Sequence, residues 1–376
     1  MKCLVLYKDR LDALPPLMNS SLLLAQMGAS VHVLCGGISG AARSGLEELG
    51  IVIRVTAPQD SSRTPVTRVR RWAEFHRQAM PAIQVSGPDA LLWVGSGDTA
   101  LALGPGLWRH RYVLQLHELY DTHPHYRLML SRFIAKAACV VVPEAGRAGI
   151  LRMWYRLRET PVVLPNKFVC HPRSRRLDLS GVTGAAQVDN GRKLVLYQGH
   201  VGRDRDLLPV ARAAADLGPA WRFAVMGTDW GGAAVLRSAC PDLLVIPHTP
   251  APGHLRVTSH ARIGVVSYAH TSLNNLFCAP NKVWEYAGFG IPMVCNDVPG
   301  LAPVSGNGAG ICADFSNTRS IAAAILELDR DYAAYSANAR RLFDSVDMPA
   351  IMRAIVERAT NAAPVPNQRA GAFFES

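Results

Sequence analysis

The sequence predicts an α/β protein of two doubly wound parallel-sheet domains in tandem, and three observations predict it. Its 376 residues exceed what one hydrophobic core sustains, since single cores stop growing near ~250–300 residues. Short apolar runs alternate with helix-length segments; runs that are continuous rather than alternating are the mark of parallel strands buried on both faces. The rhythm breaks once, in a polar, Gly-containing stretch from His171 to Arg192, and then restarts.

In the first half the strand runs are Cys3–Leu6, Ser30–Leu34, Val52–Val55, Ala90–Val94, Tyr112–Leu116, Cys139–Val142 and Pro161–Leu164. Between the first two, Leu17–Ala29 reads as a helix that Asn19 or a neighbouring Ser caps and that Gly28 ends in the left-handed conformation. After the break come strands at Leu194–Gln198, Arg222–Met226, Leu243–Pro247, Ile263–Ser267, Met293–Asn296 and Gly310–Ala313, with helices over Asp206–Leu217 and Asn281–Phe289. Thr318 to Ala359 keeps helical spacing, as in Ile321, Ile325 and Leu328. The expected organisation is a first domain over 1–170, a linker over 171–192, a second domain over 193–345, and a C-terminal helix and loose tail over 346–376.

Composition narrows the function classes. Hydrophobic residues make up 49% and charged residues 18% of the chain, and mean hydropathy is +0.09, which excludes wholesale disorder. No apolar run reaches the ~18–20 residues that span a bilayer. The N-terminus reads as a first β-strand of a cytoplasmic protein rather than a signal peptide. Eight cysteines are scattered without a C-x-x-C pair or zinc spacing, so they read as small buried hydrophobes. Net charge is +11, yet only six of the 40 basic residues are lysine; this arginine bias suits a GC-rich bacterial source. Residues 1–190 carry a net +9 and the remainder +2, so the first half suits an anionic partner: a phosphate-bearing substrate, an anionic membrane surface or nucleic acid.

Two segments carry most of the chemistry. Tyr197-Gln198-Gly199-His200-Val201-Gly202-Arg203-Asp204-Arg205-Asp206 lies between the first strand and first helix of the second domain. Its glycines let backbone approach a ligand, and His200, Arg203 and Arg205 add positive charge: a phosphate or diphosphate cradle, or else an ordinary surface turn in an Arg-rich protein. In Ser272 to Val294, Pro280 fits the start of a helix that runs through Glu285 and ends at Gly288 or Gly290. Lys282 and Glu285, three apart, share a face; the carboxylate could bind ribose hydroxyls, as in other doubly wound nucleotide sites, or the two could form a solvated ion pair.

The Pro-Asn-Lys-x-x-Glu-Tyr-x-x-x-Gly-x-Pro segment at 280–292, following the Gly-x-x-x-x-x-Arg turn at 199–205, resembles the C-terminal domain of retaining GT-B glycosyltransferases of glycosyltransferase family 4. Leu164-Pro165-Asn166, Val140–Pro143, Val225-Met226-Gly227 and the opening helix–strand unit are similar in the same order, so the resemblance spans about residues 1–350. It implies a GT-B-like pair of Rossmann-like domains facing across a cleft, with a nucleotide-diphospho-sugar donor, UDP-linked by preference, on the second and a hydroxyl acceptor on the first. Carried over by position, Glu285 binds the donor ribose, and Arg205, His200 and Lys282 the diphosphate, with Gly199 in the turn. Where the family often has a second acidic residue, this chain has Phe277; Asn274, Asn275 and the backbone amides of Leu276 and Phe277 are substitutes for the lost sugar contact.

In the first domain His117 and Glu118 follow a strand and stand at its carboxyl end. By themselves they read as a structural hydrogen bond; the resemblance implies that His117 faces the donor sugar and that Glu118 assists proton removal from the acceptor. It also implies retention of configuration without an obligatory metal or other cofactor, so His123 and His125 are not expected to hold one. The stretch Arg63–Arg77 pairs cations with Trp72 and Phe75. It suits peripheral contact with the inner face of an anionic plasma membrane bearing a lipid-linked acceptor, an acidic acceptor, or a solvated helix face with both aromatics in the core. The leading expectation is a retaining, metal-independent hexosyltransferase of cell-surface glycan or natural-product biosynthesis. The alternatives are a nucleotide-sugar epimerase of the same fold and, less well supported, a basic nucleic-acid-binding protein; for nucleic acid the single cluster is thin evidence.

Overall fold

The protein is described by a computed structural model covering residues 1–56, 65–202 and 205–362. The chain forms two compact units, one of Met1–Leu164 with the returning helix Met348–Asn361, the other of Pro165–Asp347.

The first unit holds seven strands: β1 (Lys2–Arg10), β2 (Ser30–Gly37), β3 (Val52–Val55), β4 (Leu91–Val94), β5 (Tyr112–Gln115), β6 (Cys139–Val142) and β7 (Val162–Val163). They pair in parallel in the order β3-β2-β1-β4-β5-β6-β7. The second unit holds β8 (Lys193–Gln198), β9 (Trp221–Met226), β10 (Leu244–Ile246), β11 (Ile263–Val266), β12 (Met293–Asn296) and β13 (Gly310–Ala313), again all parallel, in the order β10-β9-β8-β11-β12-β13. Every expected strand run is a strand. Successive side chains leave opposite faces of a strand, so in β8 Leu194 and Leu196 enter one hydrophobic core of the second unit, and Val195 and Tyr197 the other. Apolar burial on both faces explains why these runs are continuous rather than alternating.

Strand order reverses between β1 and β4 in the first unit and between β8 and β11 in the second. Crevices at the carboxyl ends of strands at such switch points are where open α/β sheets bind ligands.

Local chemistry shifts several elements from their expected places. The first helix spans Pro15–Gln26 and starts at its proline pair, preceded by Leu14, so Asn19 is not its cap but a buried residue of its interior. Proline presets helical φ and lacks the N–H that the first turn leaves unpaired, which moves the start forward. Gly28 does end the segment, at φ +80°. The helix expected over Asp206–Leu217 runs Leu208–Asp216. The stretch expected as a linker packs Leu177, Leu179, Val182 and Val188 against the core of the second unit. The last helix belongs to the first unit, where Arg358 donates to Thr160 O at 2.9 Å and pairs with Glu159 at 2.5 Å.

Phe75 is fully buried on the helix Pro65–Ser86, and Trp72 packs against the same core. That helix face is therefore turned inward, and its outer face carries Arg70 and Arg77. The Arg63–Thr64 end of the basic stretch and the tail 363–376 lie outside the described residues, as do Arg203 and Asp204. Among the described residues no helix is long and apolar enough to cross a membrane.

Candidate functional site

The switch point of the second unit gathers most of the residues singled out in that half. The helix Asn281–Phe289 starts after Pro280 and ends at Gly290 in the left-handed conformation, φ +67°. It is seated on the sheet by Tyr286, whose hydroxyl donates to Leu196 O at 2.7 Å while its ring lies where a Cβ on Gly264 would come within 2.4 Å. Gly264, in β11, is thus the space the ring occupies. Underneath, the His171 ring fills the space beside Gly288, where a Cβ would come within 2.6 Å of it.

This seating turns Glu285 into the crevice with its side chain only 12% exposed. Gln198 Nε2 donates to Oε2, and His254 Nε2 donates to Oε1 at 3.0 Å. Gln198 is oriented in turn by Thr258 Oγ1, which donates to its Oε1 at 2.7 Å. Burial alone would raise the carboxyl pKa, but His254 and then Lys282 outweigh it, and the group is held below the ordinary glutamate value. A carboxylate offers about four acceptor positions, and Gln198 and His254 take two of them. Glu285 therefore presents a fixed negative charge with acceptor capacity left for a pair of hydroxyls.

Lys282 is buried, 8% exposed, with its ammonium 4.0 Å from the centre of the Tyr197 ring. It is no solvated partner of Glu285. A Cβ on Gly199 would come within 3.1 Å of Lys282 Nζ, so the cation stands directly beside the turn that ends β8. That turn has its own packing requirement: Gly227, at φ +147°, lies so close to Gly199 O that a Cβ would come within 1.9 Å of it. The two glycines let the ends of β8 and β9 meet with no side chain between them.

Arg205 Nε donates to His200 Nε2 at 3.1 Å, and its guanidinium lies 4.5 Å from the centre of the Tyr268 ring. Ser267 Oγ, just after β11, donates to the Arg205 carbonyl. The His200 ring stacks on Trp230 with centroids 4.3 Å apart and planes at 22°. To accept from Arg205, His200 Nε2 must carry no proton, so the ring in this arrangement is the neutral Nδ1–H tautomer. Lys282, Arg205, His200 and the Gly199 turn thus converge on one end of the sheet, and Glu285 on the same crevice.

Asn274 and Asn275 lie on the short helix Leu273–Leu276. Ser272 Oγ caps it by accepting from Asn275 N at 3.1 Å, and Asn275 Nδ2 donates to Thr271 Oγ1 at 3.0 Å. Gln198 and His254, which hold Glu285, were not singled out in the sequence. One is a glutamine at a strand end and the other a histidine in a Pro-Gly turn, and neither is marked by local spacing.

In the first unit His117 and Glu118 follow β5. Arg147, buried at 5% exposure, donates to His117 O and stands 4.0 Å from the exposed Glu118 carboxylate. Both His117 ring nitrogens are buried without a hydrogen-bond partner among the described residues. Burial, then the Arg147 charge, lower its pKa to about 4.

The fold of this chain is similar to that of several solved structures. Anabaena HepE in complex with UDP superposes with a TM-score of 0.71 at 14% identity, over 95% of this chain and 99% of that one. Sucrose-phosphate synthase from Thermosynechococcus elongatus gives 0.69 at 14% identity, over 94% and 98%. The fold is GT-B-like. A putative UDP-N-acetylglucosamine 2-epimerase from Listeria monocytogenes shares it, at a TM-score of 0.64 and 13% identity over 97% and 98%, so the GT-B fold by itself does not choose between transfer and epimerisation. No protein-family model and no curated protein matches the chain.

The buried histidines give the protein a predictable acid response. His171, lodged against Phe289 and Phe343, is also lowered to about 4, mainly by burial. Unfolded histidine binds its proton near pH ~6.5, so between about 6.5 and 4 the unfolded chain takes up protons that the folded chain does not. The stability is complete above pH ~6.5 and is lost progressively as pH falls towards 4. Melting temperature measured across that window should fall steadily; a flat profile would show that these rings are solvated.

Proposed function

We propose that this protein is a retaining glycosyltransferase that moves a sugar from a nucleotide-diphospho-sugar, a UDP-sugar by preference, to an acceptor hydroxyl. The observation that carries the reading is the buried Glu285 carboxylate, held by Gln198 and His254 in the same crevice as Lys282, Arg205 and the Gly199 turn. A ribose diol suits the remaining acceptor positions of Glu285. A diphosphate suits the cations and the bare backbone of the turn. Neighbours of this fold were solved with UDP and with UDP-glucose, which supports the same class of donor here.

In the mechanism we favour, the acceptor attacks the face of the sugar from which the diphosphate departs, and the leaving diphosphate takes the acceptor proton. No side chain then acts as nucleophile. Arg205 and Lys282 stabilise the charge that develops on the leaving oxygen, where positioned cations gain most. They supply this without a metal. On the first unit we assign the neutral His117 to a sugar or acceptor hydroxyl, since either ring nitrogen can serve one, and Glu118 to assisting proton removal by orienting the acceptor hydroxyl as its proton passes to the diphosphate. Asn274 and Asn275 remain assigned to the donor sugar in place of the acid absent at Phe277.

An acceptor from cell-surface glycan or natural-product synthesis fits this chemistry. A lipid-linked one would bring the first unit to an anionic membrane, where exposed Leu128, Met129 and Met153 beside Arg127, Arg132 and Arg152 would meet it, rather than Phe75, which is buried, and Trp72, which packs on the core. Incubation with a radiolabelled UDP-sugar and candidate acceptors, followed by assignment of the product anomer by NMR, tests the reading. Transfer with retained configuration is expected. An inverted product would overturn the mechanism, and conversion of the nucleotide-sugar to its epimer without transfer would establish the epimerase instead.

A further inference from the structure

At the opposite end of the second unit's sheet, where β8 and β11 begin, a cleft of about 480 Å³ opens. Arg175, Arg176, Arg192, Lys193, Arg262 and Arg340 all line it, with Asp189 as the sole carboxylate of the lining. We propose that this cleft binds a multiply charged phosphate-bearing anion, at a site separate from the crevice around Glu285.

The charge balance carries the inference. Asp329 serves both Lys193 and Arg262, at 2.6 Å each. Asp242 pairs with Arg192, and Asp189 stands 3.4 Å from Arg176. The six lining cations therefore share three ion-paired carboxylates, one of which, Asp242, also serves Arg222, so positive charge is in excess around the cavity.

Two of the guanidiniums are held entirely by neutral acceptors. Arg175 donates from Nε to Ser259 O at 2.8 Å, from Nη1 to Tyr332 Oη at 2.7 Å and from Nη2 to Ala261 O at 2.5 Å. Arg340 donates from Nη2 to Phe289 O at 3.0 Å. These bonds fix the direction of each fork without neutralising it; the carboxylate acting on Arg340, Asp344, is already paired with Arg173. The Arg262 guanidinium is likewise fixed, 3.6 Å above the Tyr332 ring. Tyr332, Ser336 and Arg340 lie one turn apart along the helix Tyr332–Asp344 and all face the cleft, so a hydroxyl donor accompanies the cations.

Pre-oriented guanidinium forks match phosphate oxygens in geometry as well as charge. Desolvating like charges around a cavity is unfavourable unless an anion enters. The cleft also abuts the carboxyl end of the helix that carries Glu285, through Phe289 and Arg340. The phosphate could come from a soluble ester or from a phospholipid headgroup, and both present the same chemistry.

The test uses the full chain with Arg205→Ala and Lys282→Ala, so that the crevice around Glu285 does not compete for the probe. Inorganic diphosphate titrated calorimetrically should still bind this variant, and adding Arg176→Gln and Arg340→Gln should weaken binding at least about tenfold. Unchanged melting temperature without ligand would show that the added substitutions leave the fold intact. If they do not, hydrogen exchange on the parent variant replaces them: diphosphate should slow exchange at 191–194 and 332–340. Sedimentation with phosphatidylglycerol vesicles separates the sources. Saturable diphosphate binding without vesicle binding assigns a soluble ester, whereas arginine-dependent vesicle binding assigns a headgroup. Absence of both, or affinity unaffected by the cleft substitutions together with unchanged exchange, would overturn the site.

Discussion

Replacing Glu285 by glutamine is expected to weaken UDP binding on the order of 100-fold while leaving the protein folded. The carboxylate is buried and lowered in pKa because His254 and Lys282 favour its charge over the cost of burial. It accepts from Gln198 and His254 through separate oxygens. Ribose hydroxyls donating to it would form charge-assisted bonds, worth ~1.5–3 kcal/mol each, and two of them account for a loss of that size. Glutamine keeps the shape but turns one oxygen into a donor that faces existing donors. Alanine should cost as much binding and more stability, because Gln198 and His254 are then left buried without their acceptor. Calorimetric titration of UDP into wild type and E285Q, with circular dichroism as the check on folding, decides the matter. Equal affinities would remove Glu285 from the donor site.

Arg205→Ala is expected to lower turnover by about 10²–10³-fold, with little change in KM for the acceptor. The guanidinium is braced by His200 at 3.1 Å and by the Tyr268 ring, and the Arg205 backbone carbonyl by Ser267. A brace of this kind holds the charge in place before the diphosphate leaves. A group whose partner charge develops during the reaction contributes mainly to kcat. Steady-state kinetics with the donor saturating would show it; a variant with full kcat would place the leaving-group charge elsewhere, with Lys282 next to be examined.

The sheet of each unit was readable because parallel strands buried on both faces must be continuously apolar. No competing local structure fits runs as short as Cys139–Val142 or Met293–Asn296. The helix Asn281–Phe289 was readable at both ends, since Pro280 and Gly290 mark them chemically. Less visible was anything set by long-range contact. Gln198 and His254 meet Glu285 only because topology brings the end of β8, the turn after β10 and the helix after β11 to one point. The residues of 171–192 look like a polar linker, yet Leu177, Leu179, Val182 and Val188 are spaced widely enough to pack on a core without forming a periodic element. Lys282 and Glu285 have the spacing of a surface ion pair, and only burial distinguishes them from one. Trp72 and Phe75 could have been exposed or buried at the same helical spacing, and the core claimed them.

The most direct test of the central claim is a melting-temperature series of the purified protein with UDP, GDP, ADP and dTDP and their sugar conjugates. A ligand that binds only the native state stabilises it by ~2.7 kcal/mol at a hundred times its Kd. A clear rise with UDP and UDP-sugars that is lost in E285Q is the predicted result. No rise with any nucleotide, or a rise that persists unchanged in E285Q, would contradict a nucleotide-sugar donor held by Glu285.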